Sequence, residues 1–432
     1  MTPMVDFSYQ TGFGNHFETE ADPGVLPVGQ NSPQKVKGGL FTEQITGTAF
    51  TAPRSSMRRS WVYRTRPSVR HFHNLRPIDN GLIRTGPDED SVPAPAQLRW
   101  DPFPASSLTT NWLTGLVTVA TNGDNEMQAG GAVHHFVATD SMTDLAFVDT
   151  DGELMLVPYE GRLVLRTEMG LLHVAPGYLA VIPRGVKFAV DLVDSTARGY
   201  VCENYGAAFD LPEHVLLGPD ANALPRDFEY PVARYDADDT ATKLVAKISG
   251  QLFATELEHS PFDVVAWHGN LSPYRYELRR FCAVGPVIFD HPDPSIWTLL
   301  SSASDTSGTA NIDFILFREH WRVAEHTFRP PWFHSNLMSE LMGLIEGIYD
   351  AKAEGFLPGG VSIHNSFIPH GPDSTAYESA TQADLGPVKG PDSLAVMWES
   401  RYRWAPTSWA MTLPELQGDY PDRWADLRRE YN

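Results

Sequence analysis

The chain has 432 residues, 42% hydrophobic and 20% charged, enough apolar mass for a sizeable core in two or three packed units, which excludes a disordered polymer. Fifty-four acidic against 33 basic residues give a net charge of −21, a field that repels polyphosphate and anionic lipid, so no nucleic acid and no membrane surface is expected as a partner. No apolar run approaches the ~20 residues that span a bilayer, and the start, MTPMVDFSYQ, lacks the basic and then apolar blocks of a secretion signal. Two cysteines, Cys202 and Cys282, make neither a disulfide framework nor a thiolate zinc site. A cytoplasmic enzyme or binding protein is the expectation, and any metal would be held by imidazole and carboxylate.

In chain order, residues 1–80 are rich in Gly, Pro, Asn and Thr with little periodicity, and read as long ordered loops with some strands, placed to wrap a neighbour. Residues 152–191 carry the clearest pattern. Leu154 and Leu156, then Leu163 and Leu165, alternate with outward residues, while Glu160-Gly161, Met169-Gly170, Pro176-Gly177 and Pro183 to Gly185 supply turns. Short strands at this spacing predict a mainly β fold of the jelly-roll or β-sandwich type. A second β-rich region starts near Phe281, with Val287-Ile288-Phe289, Phe314 to Phe317 and Leu341 to Ile348 as strand candidates. This places a boundary near residue 280, between a large unit, 1–280, and a smaller one, 281–432. Helical signals are few and mostly terminal, and residues 414–429 predict one short helix.

Of fifteen histidines, four stand in segments of unusual punctuation: His291 in FDHPDPSIW, His334 in RPPWFHSNLMSE, and His364 and His370 in GFLPGGVSIHNSFIPHGPD. A carboxylate near a histidine is the minimum for a divalent metal held without thiolate, which singles out His334 and Glu340. On a straight strand their six steps separate the stems by ~20 Å. On a helix the same six residues turn ~600° and leave them on different faces. They meet only if the chain reverses between them, and Ser335-Asn336 is a place for that reversal. For the third ligand His364 and His370 compete, the latter in a stiff turn between Pro369 and Gly371-Pro372. Two histidines and a carboxylate leave one side of the metal open, as in non-haem iron(II) oxygenases, where a phenolate and dioxygen can bind together. Zinc accepts the same ligands and would activate water instead. Without a metal, Glu340 would be an ion-paired strand end and His334 a histidine packed on Trp332.

At these residues the sequence resembles the homogentisate 1,2-dioxygenases, and the likeness spans nearly the whole chain. YQTGFGNHFETE at Tyr9, GQNSPQKVKGGLFTEQITGTAFTAPRS ending at Ser55, SWVYRTRPSV at Ser60 and LRWDPFP at Leu98 resemble that family's amino-terminal signature. RDFEYPVARY at Arg226, SPFDVVAWHGNLSPYRY at Ser260, and the segments around His291, His334 and His370 resemble its core and active site. The resemblance implies a cupin-type fold with a C-terminal iron-binding cupin domain, and a mononuclear Fe(2+) enzyme of tyrosine and phenylalanine breakdown. It implies His334, Glu340 and His370 as iron ligands, with His370 also at the substrate. It further implies His291 as the acid-base histidine, Tyr349 as a substrate contact, and a homohexamer built from two trimers. Against the general cupin motif, Asn336 stands where a second histidine is usual, and Pro358-Gly359-Gly360 before His364 would favour His364 as the last ligand; the family pattern favours His370. The block at 152–191 has the cupin rhythm without paired ligands and reads as a structural copy.

On this reading homogentisate binds iron through a ring oxygen, Tyr349 hydrogen-bonds it, His291 takes the phenolic proton, and dioxygen attacks beside the acetate arm to give 4-maleylacetoacetate. Cleavage of another dihydroxylated acid such as gentisate, and a binding or storage protein with a vestigial site, are the competing functions.

Overall fold

The computed structural model describes residues 7–104, 108–213, 222–290, 297–349, 355–429 and 431. The fold is mainly β, and its centre is a nine-stranded sheet in which Glu153–Glu160 lies between Tyr178–Ile182 and Ala197–Asn204, followed by Ala129–Ala138 and Leu116–Asp124. On one side packs a seven-stranded sheet containing Leu163–Thr167, Phe188–Leu192, Leu145–Asp149 and Thr242–Ile248. On the other packs a six-stranded sheet in the order Thr298–Ala303, Ala310–Arg318, Leu394–Ser400, Ser339–Glu346, Val361–His364 and Leu98–Trp100.

The central sheet therefore has no solvent face along much of its length. Leu154 and Leu156 join one core with Leu163, Leu165 and Phe188, whereas Met155 and Val157 join the other with Leu316, Leu341 and Trp398. The residues expected to point outward from this strand point into a second core, which is why the run ELMLVP is apolar at both parities. Of the turns in the block, Gly161 adopts φ +73°, open to glycine without strain, and leads directly into Leu163–Thr167.

Each half lends a strand to the other. Leu98–Trp100 pairs with Val361–His364, and Ala405–Pro406 pairs with Leu116–Asp124. Tyr200 of the central sheet donates to the carbonyls of Leu344 and Gly360 at 3.1 and 2.8 Å, and its ring lies where a Cβ on Gly343 would come within 2.9 Å, so position 343 has room only for glycine.

Three expectations change. Val287, Ile288 and Phe289 form no strand and are 76%, 57% and 60% exposed, next to Asp290 at φ +63°. The C-terminal segment forms a 3-10 helix at Tyr420–Trp424. Among the described residues the longest α-helix is internal, Ser374–Gln382, started by Asp373, whose side chain accepts from Ala376 N at 2.8 Å.

Candidate metal centre

Glu340 is the second residue of Ser339–Glu346, facing His364 on one neighbouring strand and Glu399 on the other, with Asp313 next beyond Glu399. Because registered residues share a sheet face, Asp313, Glu399, Glu340 and His364 form one polar row across an otherwise apolar sheet. His334 and His370 reach Glu340 from outside the sheet. They pair as an isolated antiparallel bridge, His334 N to His370 O at 2.9 Å and the reverse at 3.0 Å. Between His334 and Glu340 the chain reverses on Asn336, whose Oδ1 accepts from Met338 N at 3.0 Å, an Asx-type turn at the place the sequence suggested.

The two imidazoles are held by the same local device. Nδ1 of His334 lies 2.8 Å from the carbonyl of Trp332, and Nδ1 of His370 lies 2.9 Å from the carbonyl of Ile368. A carbonyl oxygen can only accept, so each Nδ1 carries the proton, and in the neutral ring Nε2 presents a lone pair. Those Nε2 atoms lie 3.7 and 3.2 Å from Oε1 of Glu340, and one ligand atom from each of the three residues falls within 4.8 Å of the others. Lone pairs aimed at a carboxylate oxygen repel unless positive charge lies among them. Burial raises Glu340, but His334, His364 and His370, each donating a hydrogen bond when the nitrogen facing the carboxylate carries a proton, outweigh burial and hold the carboxyl well below its usual range; a divalent ion would take the place of the Nε2 protons of His334 and His370. An ionised carboxylate with two oriented imidazole nitrogens suits a divalent ion of iron's class, so the residues fit the metal that the cupin pattern implies.

Spacing left His364 and His370 in competition, with the family resemblance favouring His370, and both reach Glu340. His370 meets Oε1 beside His334. His364 meets the other oxygen, Nδ1 to Oε2 at 3.3 Å, turns its Nε2 to the Tyr420 hydroxyl at 3.2 Å, and stacks on the His370 ring with centroids 4.6 Å apart. Tyr349 follows the end of the Ser339–Glu346 strand with its ring against Phe317 and Phe356, as a core tyrosine would be, and it is not among the described residues lining the cleft over the triad. His291 lies outside the described residues.

That cleft, of about 1240 Å³, exposes His334 and Glu340 and is lined also by Asn336, Asp313, Glu399 and Arg58. Asn336 Nδ2 donates to Oε1 of Glu399. Burial pushes Asp313 up to about 6, against a hydrogen bond with Ser301 that lowers it. Sequence reasoning missed Glu399, Asp313 and Tyr420. The two acids were visible as lone charges inside the apolar strands LAVMWES and ANIDFILFR, but nothing local marks Tyr420, which arrives from 56 residues away.

A family model described as "Homogentisate 1,2-dioxygenase N-terminal" matches residues 8–278, and its C-terminal counterpart matches 279–431. A homogentisate 1,2-dioxygenase of Rhodopseudomonas palustris is 53% identical over 431 residues, covering 100% of this chain and 96% of that protein. One from Bradyrhizobium diazoefficiens is 52% identical over 429 residues, covering 99% and 96%. Among solved structures, a cupin 2 conserved barrel domain protein from Leptotrichia buccalis aligns at 8% identity and a TM-score of 0.30, over 68% of this chain and 91% of that one.

Proposed function

Since the chain belongs to the homogentisate 1,2-dioxygenase family, we propose that it opens the ring of homogentisate with dioxygen, both oxygen atoms being retained in 4-maleylacetoacetate, using iron(II) held by His334, Glu340 and His370. The observation that carries the reading is the convergence of two Nε2 atoms, each oriented by a backbone carbonyl behind it, on one ionised carboxylate. Ferrous iron there supplies electrons to dioxygen and lifts the spin restriction on its reaction with an aromatic ring.

The protein's own groups do the rest. Three ligands from one side leave the cleft side open for the substrate. The Trp332 and Ile368 carbonyls keep both imidazoles from turning, which preserves the site's shape between turnovers. Asn336, fixed through its amide to Glu399, gives the open cleft a polar wall. His291 takes the phenolic proton, an imidazole being able to hold it near neutral pH, while Tyr349, its ring packed on Phe317 and Phe356, reaches the substrate only by turning out of that packing. The enzyme works in the cytoplasm in tyrosine and phenylalanine breakdown as a homohexamer of two trimers. The exposed run Val287, Ile288 and Phe289 supports an assembly, as apolar surface of that kind calls for cover.

The test is reconstitution of metal-free chain with iron(II) under nitrogen, followed by oxygen uptake and product absorbance on adding homogentisate and air. Homogentisate turnover well above that with gentisate supports the reading. Glu340→Gln should keep the fold and lose iron retention and turnover by ~100-fold or more. Full iron and turnover in that variant, or activity without oxygen, would overturn the ligand assignment or the reaction class respectively.

A further inference from the structure

The second oxygen of Glu340 is governed from the far end of the chain. His364 stands between Oε2 of Glu340, 3.3 Å from Nδ1, and the Tyr420 hydroxyl, 3.2 Å from Nε2. A carboxylate can only accept, so Nδ1 of His364 carries the proton. In the neutral ring Nε2 must then accept, and the tyrosine O–H donates to it. Burial pushes the Tyr420 phenol above its usual range, so it keeps that proton at any working pH. Direction therefore runs one way, from Tyr420 to His364 to Glu340.

Tyr420 is itself held on several sides. The fully buried Arg99 lies 4.2 Å from the centroid of its ring. The guanidinium Nε donates to Gln417, while neither terminal nitrogen has a hydrogen-bond partner among the described residues, so the tyrosine face is a principal counterpart of this buried charge. A cation on the ring face draws electron density from the phenol and makes its O–H a stronger donor. Trp424 packs edge-on to the ring at 5.2 Å and anchors the segment by donating to the carbonyl of Pro372, two residues past His370. The side chain is 1% exposed, so water does not compete for the hydroxyl.

We propose that Tyr420, backed by Arg99, is a positioning residue for the metal centre: through His364 it occupies Oε2 of Glu340, limits that ligand to its single oxygen Oε1, and so preserves the open coordination positions that a ring substrate and dioxygen both need. This rests on the reading of His334, Glu340 and His370 as metal ligands. Without the relay Glu340 is free to chelate through both oxygens and close one of those positions.

Cobalt(II) titrated into metal-free full-length chain tests it, because the visible bands of that ion report coordination number whether or not turnover occurs. Native chain, Tyr420→Phe, His364→Ala and the double variant are compared. The phenylalanine keeps the ring under Arg99 and loses only the hydroxyl. Expected are altered cobalt bands and ~10-fold or greater change in cobalt affinity for each single variant, with the double variant no further changed than His364→Ala alone, since both act on one path. A fall in kcat for homogentisate larger than any rise in KM should accompany it. Unchanged bands and affinity in Tyr420→Phe, or simple additivity in the double variant, would overturn the inference. If the phenylalanine chain does not fold, His364→Ala decides alone: native-like bands overturn the inference and altered bands support it. Failure of the underlying reading looks different, because Glu340→Gln would then bind cobalt as native chain does.

Discussion

Two groups of buried carboxylates lie in this molecule, one in each half, and their charge is met in opposite ways. In the N-terminal half Asp149, Asp151 and Glu203 bring oxygens as close together as the ligands of the C-terminal triad. Lys247 points into their midst, its Nζ 2.8 Å from Asp151 and 2.5 Å from Glu203. Burial would strip the ammonium of its proton, but Glu203 and Asp149 outweigh burial and hold Lys247 well above its ordinary range. Burial and the neighbouring Glu203 push Asp149 well above the usual carboxylate range, with Lys247 opposing. Around Glu340 the neighbours are imidazoles, two oriented by backbone carbonyls and one by Tyr420, with no lysine or arginine paired to the carboxylate among the described residues. A carboxylate group with a cation built into the fold has no use for a metal. One that faces two imidazole lone pairs calls for it. Nearby, Glu153 shows a third solution: burial pushes it up to about 7, with a backbone N–H from Phe209 at 2.8 Å opposing, so a proton settles its charge.

Each solution can be broken. The largest effect should come from importing the N-terminal device into the metal centre. His370→Lys puts an ammonium beside Glu340, and metal affinity should fall on the order of a thousandfold, measured by metal content after dialysis. Next, Lys247→Met leaves buried carboxylates without their cation and should cost about 3–5 kcal/mol in urea unfolding. Manganese(II) should restore part of that in the variant and do nothing for the N-terminal half of native chain. Glu153→Gln follows. An acid whose folded pKa is raised binds more protons folded than unfolded, so between about 4.5 and about 7 native stability falls as pH rises. The glutamine chain should lack that slope and exceed native stability above pH 7 by up to roughly 3 kcal/mol. The smallest effect belongs to Asp373→Ala, which strips the cap from the helix after His370 and should cost about 1 kcal/mol while leaving metal affinity unchanged.

How much of this was legible beforehand differs between the halves. Strand positions in 152–191 could be read because tight turns and alternating leucines are local signals. That Met155 and Val157 face a second core could not, because the layer they meet is built mainly from residues beyond 297, with Leu98–Trp100 added at its edge. The reversal between His334 and Glu340 was legible from Asn336, and the helix at Ser374–Gln382 had a legible cap in Asp373 that was passed over amid terminal signals. The triad could be narrowed but not closed, since His364 and His370 both reach Glu340 and only the orientation of their ring nitrogens tells them apart. Lys247 in a carboxylate cluster, and Tyr420 behind His364, come from pairings of distant strands and segments that no spacing rule encodes.

The strand loans between the halves bear on how this protein can be made and dismantled. A polypeptide cut near residue 279 would leave Val361–His364 lacking its neighbour Leu98–Trp100, and Leu116–Asp124 lacking Ala405–Pro406, so each fragment would carry a bare hydrogen-bonding edge. Neither piece is then a self-sufficient module. The two should accumulate in soluble form only when produced together, and a nick at the junction should be tolerated by molecules that have already closed.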